Sequence, residues 1–310
     1  MNFRFRLSDW RRASAVFLLA LSLAHSSASA AGAPYLWKIE GARVPSWIFG
    51  TIHLARPDVA TPPAVVRAAA ESADAVFTEI PMDRETLLAL APRLLLPPDK
   101  SLSAIAGPEI VASLKAELRH SEGGLAAIPA SFDRLKPWAA AVSLLELDDQ
   151  SKYPGLLALD TTLFRHAAAA GKETGGLETP AEQLAIFDDL AEAEQITILR
   201  ETLAQLRDFR AKGRSLSDTL AALYLAGDLT ALVTELNKLD AISDDPALSA
   251  KLMDRLLDQR NARMAERIIR KLRDQPEKSW FFAVGAAHLE GDSGLLAAFE
   301  KAGFKLTRTR

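Results

Sequence analysis

No cysteine occurs among the 310 residues. Its absence excludes a disulfide framework and the lipidated cysteine that anchors a lipoprotein, so stability has to come from an ordinary apolar core. Basic charge is also short: 37 Lys and Arg stand against 40 Asp and Glu, a net of −3. With no basic patch or basic domain in view, a nucleic-acid partner is not expected. Beyond residue 30 no stretch is apolar for the roughly twenty residues that a spanning helix needs, so no membrane span is expected in the mature chain.

The first thirty residues differ from the rest. A stretch carrying Arg4, Arg6, Arg11 and Arg12 precedes an apolar run from Ala13 to Ala24, and small residues follow, ending Ala28-Ser29-Ala30. Basic, apolar and small-residue regions in that order predict a secretory signal peptide over residues 1–30, cleaved near Ala30. The apolar run is too short to serve as an anchor. Its removal takes out four arginines and one aspartate, which moves the net charge from −3 to −6. The expected product is a periplasmic or secreted protein forming one domain over residues 31–310.

Within that domain, Tyr35 to Ile39 and Ser46 to Phe49 are short aromatic and β-branched runs separated by glycine and proline, which predicts two neighbouring strands. Thr61-Pro62-Pro63 predicts a helix start, and Ala75 to Ile80 a buried strand closed by Pro81. From about residue 83 to 275 apolar residues recur at three- and four-residue intervals, predicting helices that include Phe132 to Leu147, Pro180 to Lys212 and Pro246 to Arg273. Lys172 to Glu178 interrupts them as a possible further strand. Strand character returns at Ser279 to Val284 and Phe304 to Thr309. Short strands are not stable alone, so the expected fold is α/β (α+β): a small central sheet built from both ends of the chain, with the helical middle packed around it.

Two distant segments repeat one pattern. Each is an apolar strand followed by Gly-x-x-His: Gly50 with His53, and Gly285 with His288. Glycine at a strand end permits a close backbone approach, and a histidine three residues later can turn toward a pocket at the sheet edge. Two imidazoles joined by one carboxylate form a common arrangement for a divalent metal that keeps open positions for water. Glu79, ending its own strand, is the leading carboxylate. The plainer reading is that both histidines are hydrogen-bonded supports for strand-end loops and that Glu79 is a solvated acid. Trp37, Trp47, Trp138 and Trp280 are expected in the core.

These residues bring the chain to a resemblance. Gly50-x-x-His53, Glu79, the segment from Leu159-Asp160 through Gly171-Lys172 to Gly176-Leu177-Glu178-Thr179, the Arg260-Asn261 pair, and Ala283 to Leu289 with Gly291 and Gly294 resemble the TraB/GumN family, to which the membrane-anchored Tiki metalloproteases are related. The resemblance implies a manganese-, cobalt- or zinc-dependent peptidase-like site acting on a peptide or protein. In it His53 and His288 would be metal ligands and Glu79 a ligand or general base. Glu178 would be a second acidic candidate, and Arg260 with Asn261 would orient a carboxylate or a substrate carbonyl. Two other classes stand beside this hydrolase: a non-catalytic metal- or ligand-binding protein, and an interaction protein of the envelope or polysaccharide-export machinery. The sequence leaves the oligomeric state open.

Overall fold

A computed structural model describes residues 32–120, 127–240 and 244–309. The expected signal peptide, residues 1–30, lies outside the described residues. Six strands form one sheet: β1 Leu36–Glu40, β2 Ser46–Thr51, β3 Ala75–Thr78, β4 Glu173–Gly176, β5 Trp280–Gly285 and β6 Lys305–Arg308, in the order β4-β3-β5-β2-β1-β6. β4, β3, β5 and β2 run parallel, while β1 pairs antiparallel with both β2 and β6. The N- and C-terminal segments thus supply five strands of the sheet, and the predicted interruption at Lys172 to Glu178 supplies β4.

A strand in the middle of a parallel sheet is covered on both faces and reads as a continuous apolar run. β5, Trp-Phe-Phe-Ala-Val-Gly, follows that rule: residues 280 to 284 are fully buried. Alternate residues point to opposite faces. Trp280, Phe282 and Val284 join Met264, Ile268 and Leu272 of the helix Gln259–Asp274 and Leu295 and Phe299 of Leu295–Lys301. Phe281 and Ala283 join Val66 and Ala69 of the helix Ala64–Ser72, and Leu159 and Leu163 of Leu159–Ala169. A third core lies among helices alone, where Leu114 and Leu118, Ala140 and Leu144, and Leu199 and Leu203 come from Pro108–His120, Pro137–Lys152 and Glu192–Ala211.

Three predicted helices are subdivided. Phe132 to Leu147 is split into Ala130–Asp133 and Pro137–Lys152, since Pro137 at the first turn of the second helix holds Lys136 extended. Pro180 to Lys212 is broken into Pro180–Asp188 and Glu192–Ala211, because the Ala191 N–H donates to Glu194 Oε2 at 2.8 Å and starts a new helix there. The long C-terminal helix is interrupted by a π turn at Asp254–Asp258, immediately before the helix that carries Arg260 and Asn261. One extra residue in such a turn rotates everything after it, and both side chains are directed into the interior. Among the described residues no helix is long and apolar enough to cross a membrane.

Candidate functional site

Because β2, β3, β4 and β5 are parallel, their carboxyl ends lie on one edge of the sheet, where open α/β sheets place their ligands. His53 follows β2, Glu79 follows β3, Glu178 follows β4 and His288 follows β5. The four come from segments up to 235 positions apart, so only the crossovers bring them together. At β4 the ladder continues one step past the strand: the Leu177 and Glu178 N–H groups donate to the Thr78 and Glu79 carbonyls at 2.8 and 2.7 Å. Glu178 is thereby set beside Glu79.

The two motif glycines serve different contacts. A Cβ on Gly50 would sit 2.8 Å from Leu289, 3.0 Å from Tyr35 and 3.1 Å from Ala286, so this glycine lets the turn before His288 close onto β2. A Cβ on Gly285 would enter the site itself, 3.2 Å from Glu79 Oε1, 3.5 Å from His288 and 3.6 Å from His53 Nε2. Bare backbone there leaves a cradle bounded by the two imidazoles and the carboxylate.

Hydrogen bonds fix how each imidazole presents itself. His288 Nε2 lies 3.0 Å from Arg260 Nη1, which can only donate, so Nε2 accepts and the ring proton resides on Nδ1, donated to Asn261 Oδ1 at 2.7 Å. His53 Nδ1 donates to Asp160 Oδ2 at 3.1 Å, which turns its Nε2 toward the cleft, where it offers a lone pair only when the ring is neutral. Both Nε2 atoms face Glu79 Oε1, at 3.7 Å from His53 and 3.6 Å from His288. Glu79 Oε1 also accepts the Gly285 N–H at 2.6 Å, and Oε2 accepts from Gln183 Nε2 at 3.2 Å and from Arg260 Nη2.

The two histidines differ in surroundings. The His53 side chain is about half exposed, at 50%, whereas that of His288 is buried, at 5%. A cleft of about 590 Å³ is lined by His53, Glu79, Asp160, Gln183 and Arg260, and His288 lies behind Arg260. Glu178 is fully buried outside the cleft, held by Arg260 Nε at 2.8 Å and Arg263 Nη2 at 3.0 Å. Of the predicted residues, then, His53, Glu79 and Arg260 face the cleft. His288 stands in reserve, and Glu178 and Asn261 position Arg260 and His288.

The predicted donor set fits a divalent ion by its chemistry. Imidazoles that donate their other ring proton to an oxygen, as His53 does to Asp160 and His288 to Asn261, are oriented as metal ligands usually are. Yet among the described residues no group of three or more His, Cys, Asp or Glu side chains closes around one point as a metal centre does. The physical reason is Arg260, whose guanidinium already occupies the cationic place between His288 Nε2 and Glu79 Oε2. A metal held by His53 Nε2, His288 Nε2 and Glu79 would require Arg260 to withdraw from His288.

Asp160 was not foreseen as a site residue. Its signal was an acid in the first turn of the helix after the Leu156-Leu157-Ala158 loop. Gln183 was missed as well; it rides on the helix that the Thr179–Glu182 capping box starts directly after β4. Trp138, expected in the core, is buried but also lines the cleft.

Electrostatics separate the histidines further. Burial, opposed by the Glu79 carboxylate and aided by the Arg260 charge, pushes His288 down to about 4. The Asp160 carboxylate holds His53 well above its ordinary value. Burial tends to raise the Glu79 carboxyl, but the protonated His53 and the permanent charge of Arg260 outweigh it and hold Glu79 well below the usual range. An unfolded imidazole titrates near about 6.5 and takes up a proton that native His288 refuses. The His288 contribution to stability is therefore present above that pH and lost as pH falls toward about 4. For His53 the sign reverses: its contribution is present below about 6.5 and lost as pH rises through the raised native value. Urea midpoints across pH for wild type, His288→Asn and His53→Asn are expected to give difference profiles of opposite slope, in those two windows. Two flat profiles would contradict the assignment.

Comparison with known proteins adds an independent line. The TraB/PrgY/gumN family pattern matches residues 35–308. Metalloprotease TIKI1 of Danio rerio is 28% identical over an alignment covering 89% of this chain and 63% of that protein. Human metalloprotease TIKI1 is 27% identical, covering 88% and 61%, and a metalloprotease TIKI homolog of Amphimedon queenslandica is 26% identical, covering 92% and 63%. The chain spans less than two-thirds of the length of these curated relatives. No solved structure matches it.

Proposed function

The chain belongs to the TraB/PrgY/gumN family, and from that premise we propose that the cleft at the carboxyl ends of β2, β3 and β5 is the active site of a metal-dependent hydrolase acting on peptide or protein substrates. The observation that carries this reading is the aim of two tautomer-fixed imidazole Nε2 atoms at one oxygen of a buried glutamate, 3.6 and 3.7 Å away. Relatives named as metalloproteases over most of this chain support it.

In this reading His53 and His288 would hold the divalent ion, with Glu79 beside them as a further ligand or as the general base. The chemistry that such an ion supplies when bound is an acidified water and a polarised carbonyl. Asp160 and Asn261 keep the two rings in the tautomers that present Nε2. Glu79, ionised by its cationic surroundings, takes the proton of the attacking water at a carboxylate oxygen. Arg260 would have to leave His288 for the ion to bind, and from the cleft wall that it lines its guanidinium would offer donors to the carbonyl oxygen as negative charge develops there. Gly285 leaves room for the water.

The test is metal content by mass spectrometry of the purified mature protein after exposure to Mn²⁺, Co²⁺ or Zn²⁺, followed by a peptide-library digest. Wild type is expected to hold stoichiometric metal and to cleave. The His53→Ala/His288→Ala double variant, equally folded by circular dichroism, is expected to lose both. Wild type without metal and without cleavage would sink the hydrolase. Metal retained without cleavage would favour a metal-binding protein without turnover.

The site of action proposed is the periplasm or the exterior, on the strength of the basic, apolar and small-residue order over residues 1–30. Intact mass of the exported protein is expected to place its N terminus close to Ala31. A mass retaining the apolar run from Ala13 to Ala24 would refute cleavage.

A further inference from the structure

One helix, Pro137–Lys152, supplies a wall of the cleft through Trp138, Val142, Glu146, Asp149 and Gln150. Steps of three and four residues put these side chains on one face, so the wall changes character along its length, aromatic at one end and acidic at the other. At the first end Trp138 stacks on Phe187, ring centroids 5.0 Å apart and planes 10° from parallel, and Trp138 Nε1 donates to Asp188 Oδ1 at 3.0 Å. The bond fixes the indole as a rigid plate, and Leu184 and Ile186 extend the apolar surface. Among the described residues six large apolar side chains are exposed, and three of them, Leu87, Val142 and Leu156, line this cleft.

The second end gathers three carboxylates, and the cations that meet them are His53 at Asp160 and an Arg56 shared with other acids near Asp149. Glu146 accepts a hydrogen bond from Gln150 at 2.8 Å and, among the described residues, makes no ion pair. Asp149 lies 3.7 Å from Arg56, but that guanidinium is shared with Asp58 and Asp218. Asp160, only 4% exposed, lines the cleft and bonds His53 through Oδ2, while its buried Oδ1 has no hydrogen-bond partner. A buried carboxylate oxygen without a donor is costly, and a ligand bearing N–H groups on a positive charge would relieve it.

We propose that the cleft selects peptides carrying a large apolar side chain, seated against Trp138 and Phe187, together with a cationic nitrogen group bound at Glu146 and Asp160. The location rests on the hydrolase reading, but the selectivity does not depend on turnover. The cation can be a peptide α-amine or a lysine or arginine side chain, which share one chemistry.

The test titrates four non-cleavable ketomethylene peptides, whose replaced linkage carries no charge, into the mature protein and follows tryptophan fluorescence, with calorimetry as the second readout. All four contain Phe. The first is N-acetylated with a Lys, the second N-acetylated with norleucine in place of Lys, the third carries norleucine and a free α-amine, and the fourth is N-acetylated with a Glu. At least one of the two cationic peptides is expected to bind about tenfold more tightly than the neutral one, the scale of a hydrogen bond to a charged group. Which of the two does so identifies the source of the cation. The Glu peptide should bind most weakly. Glu146→Gln is expected to bring the cationic preference to within about twofold while leaving neutral affinity unchanged, and Val142→Asp to weaken all Phe-containing peptides. Equal affinity for cationic and neutral peptides, a preference that survives Glu146→Gln, or no binding at all would overturn the proposal. Preference without turnover of the cleavable versions would count against the hydrolase alone, and turnover without preference against the selectivity alone.

Discussion

Replacing Arg260 by methionine is expected to lower the free energy of unfolding by about 3–5 kcal/mol, the scale seen when one partner of a buried ion cluster is removed. The guanidinium is buried and spends its donors on four acceptors: Glu178 Oε2 through Nε, Glu79 Oε2 through Nη2, and His288 Nε2 and the Leu256 carbonyl through Nη1. Methionine fills similar space but leaves Glu79 without its permanent counter-charge and Glu178 with Arg263 alone. Adding Glu79→Gln to Arg260→Met removes the stranded charge, so the double variant is expected to recover part of the loss. That recovery measures the coupling of the pair. Urea unfolding at neutral pH checks it. A loss below about 1 kcal/mol for the single variant would mean that water or a neighbouring cation solvates Glu79, contrary to its burial.

Glu79→Gln alone is expected to lower kcat by about 10²–10⁴ with little change in KM, the range that a positioned general base contributes. The amide keeps the shape, and its oxygen can still accept the Gly285 N–H, but it no longer takes a proton from water. Glu178→Gln provides the contrast. That carboxylate is fully buried away from the cleft and paired with Arg260 and Arg263, so its neutralisation is expected to act mainly on stability. Turnover of Glu79→Gln within about threefold of wild type would remove Glu79 from the chemistry, and a larger kinetic loss in Glu178→Gln would exchange the two roles. Of the two carboxylates that the sequence left open, Glu79 lines the cleft and Glu178 is buried against Arg260 and Arg263.

A good deal of this was legible in the order of residues. The β-β-α-β start, the interruption before Glu178 and the return to strands after Ser279 all come from short-range patterns, since strand and helix formation depend on neighbours one to four positions away. The paired Gly-x-x-His motifs and Glu79 could be read for the same reason: each sits at the end of a strand that announces itself locally. The break at Leu190 was not read, because the bond from the Ala191 N–H to Glu194 competes with a helical periodicity that runs through it.

What the sequence by itself determined, then, is the set of elements, the acidic and cysteine-free character of the domain, and the ends of the strands on which chemistry can sit. Only the tertiary structure decided that Asp160, 107 positions from His53, orients that ring; that Arg260 stands between His288 and the cleft; that Glu178 holds Arg260; and that Trp138 serves a binding wall as well as the core. The physical reason is that hydrogen bonds and ion pairs acquire their strength, and unpaired carboxylates their cost, from shared removal from water. Which side chains share that removal is fixed by the crossovers of a parallel sheet, and no local pattern encodes it.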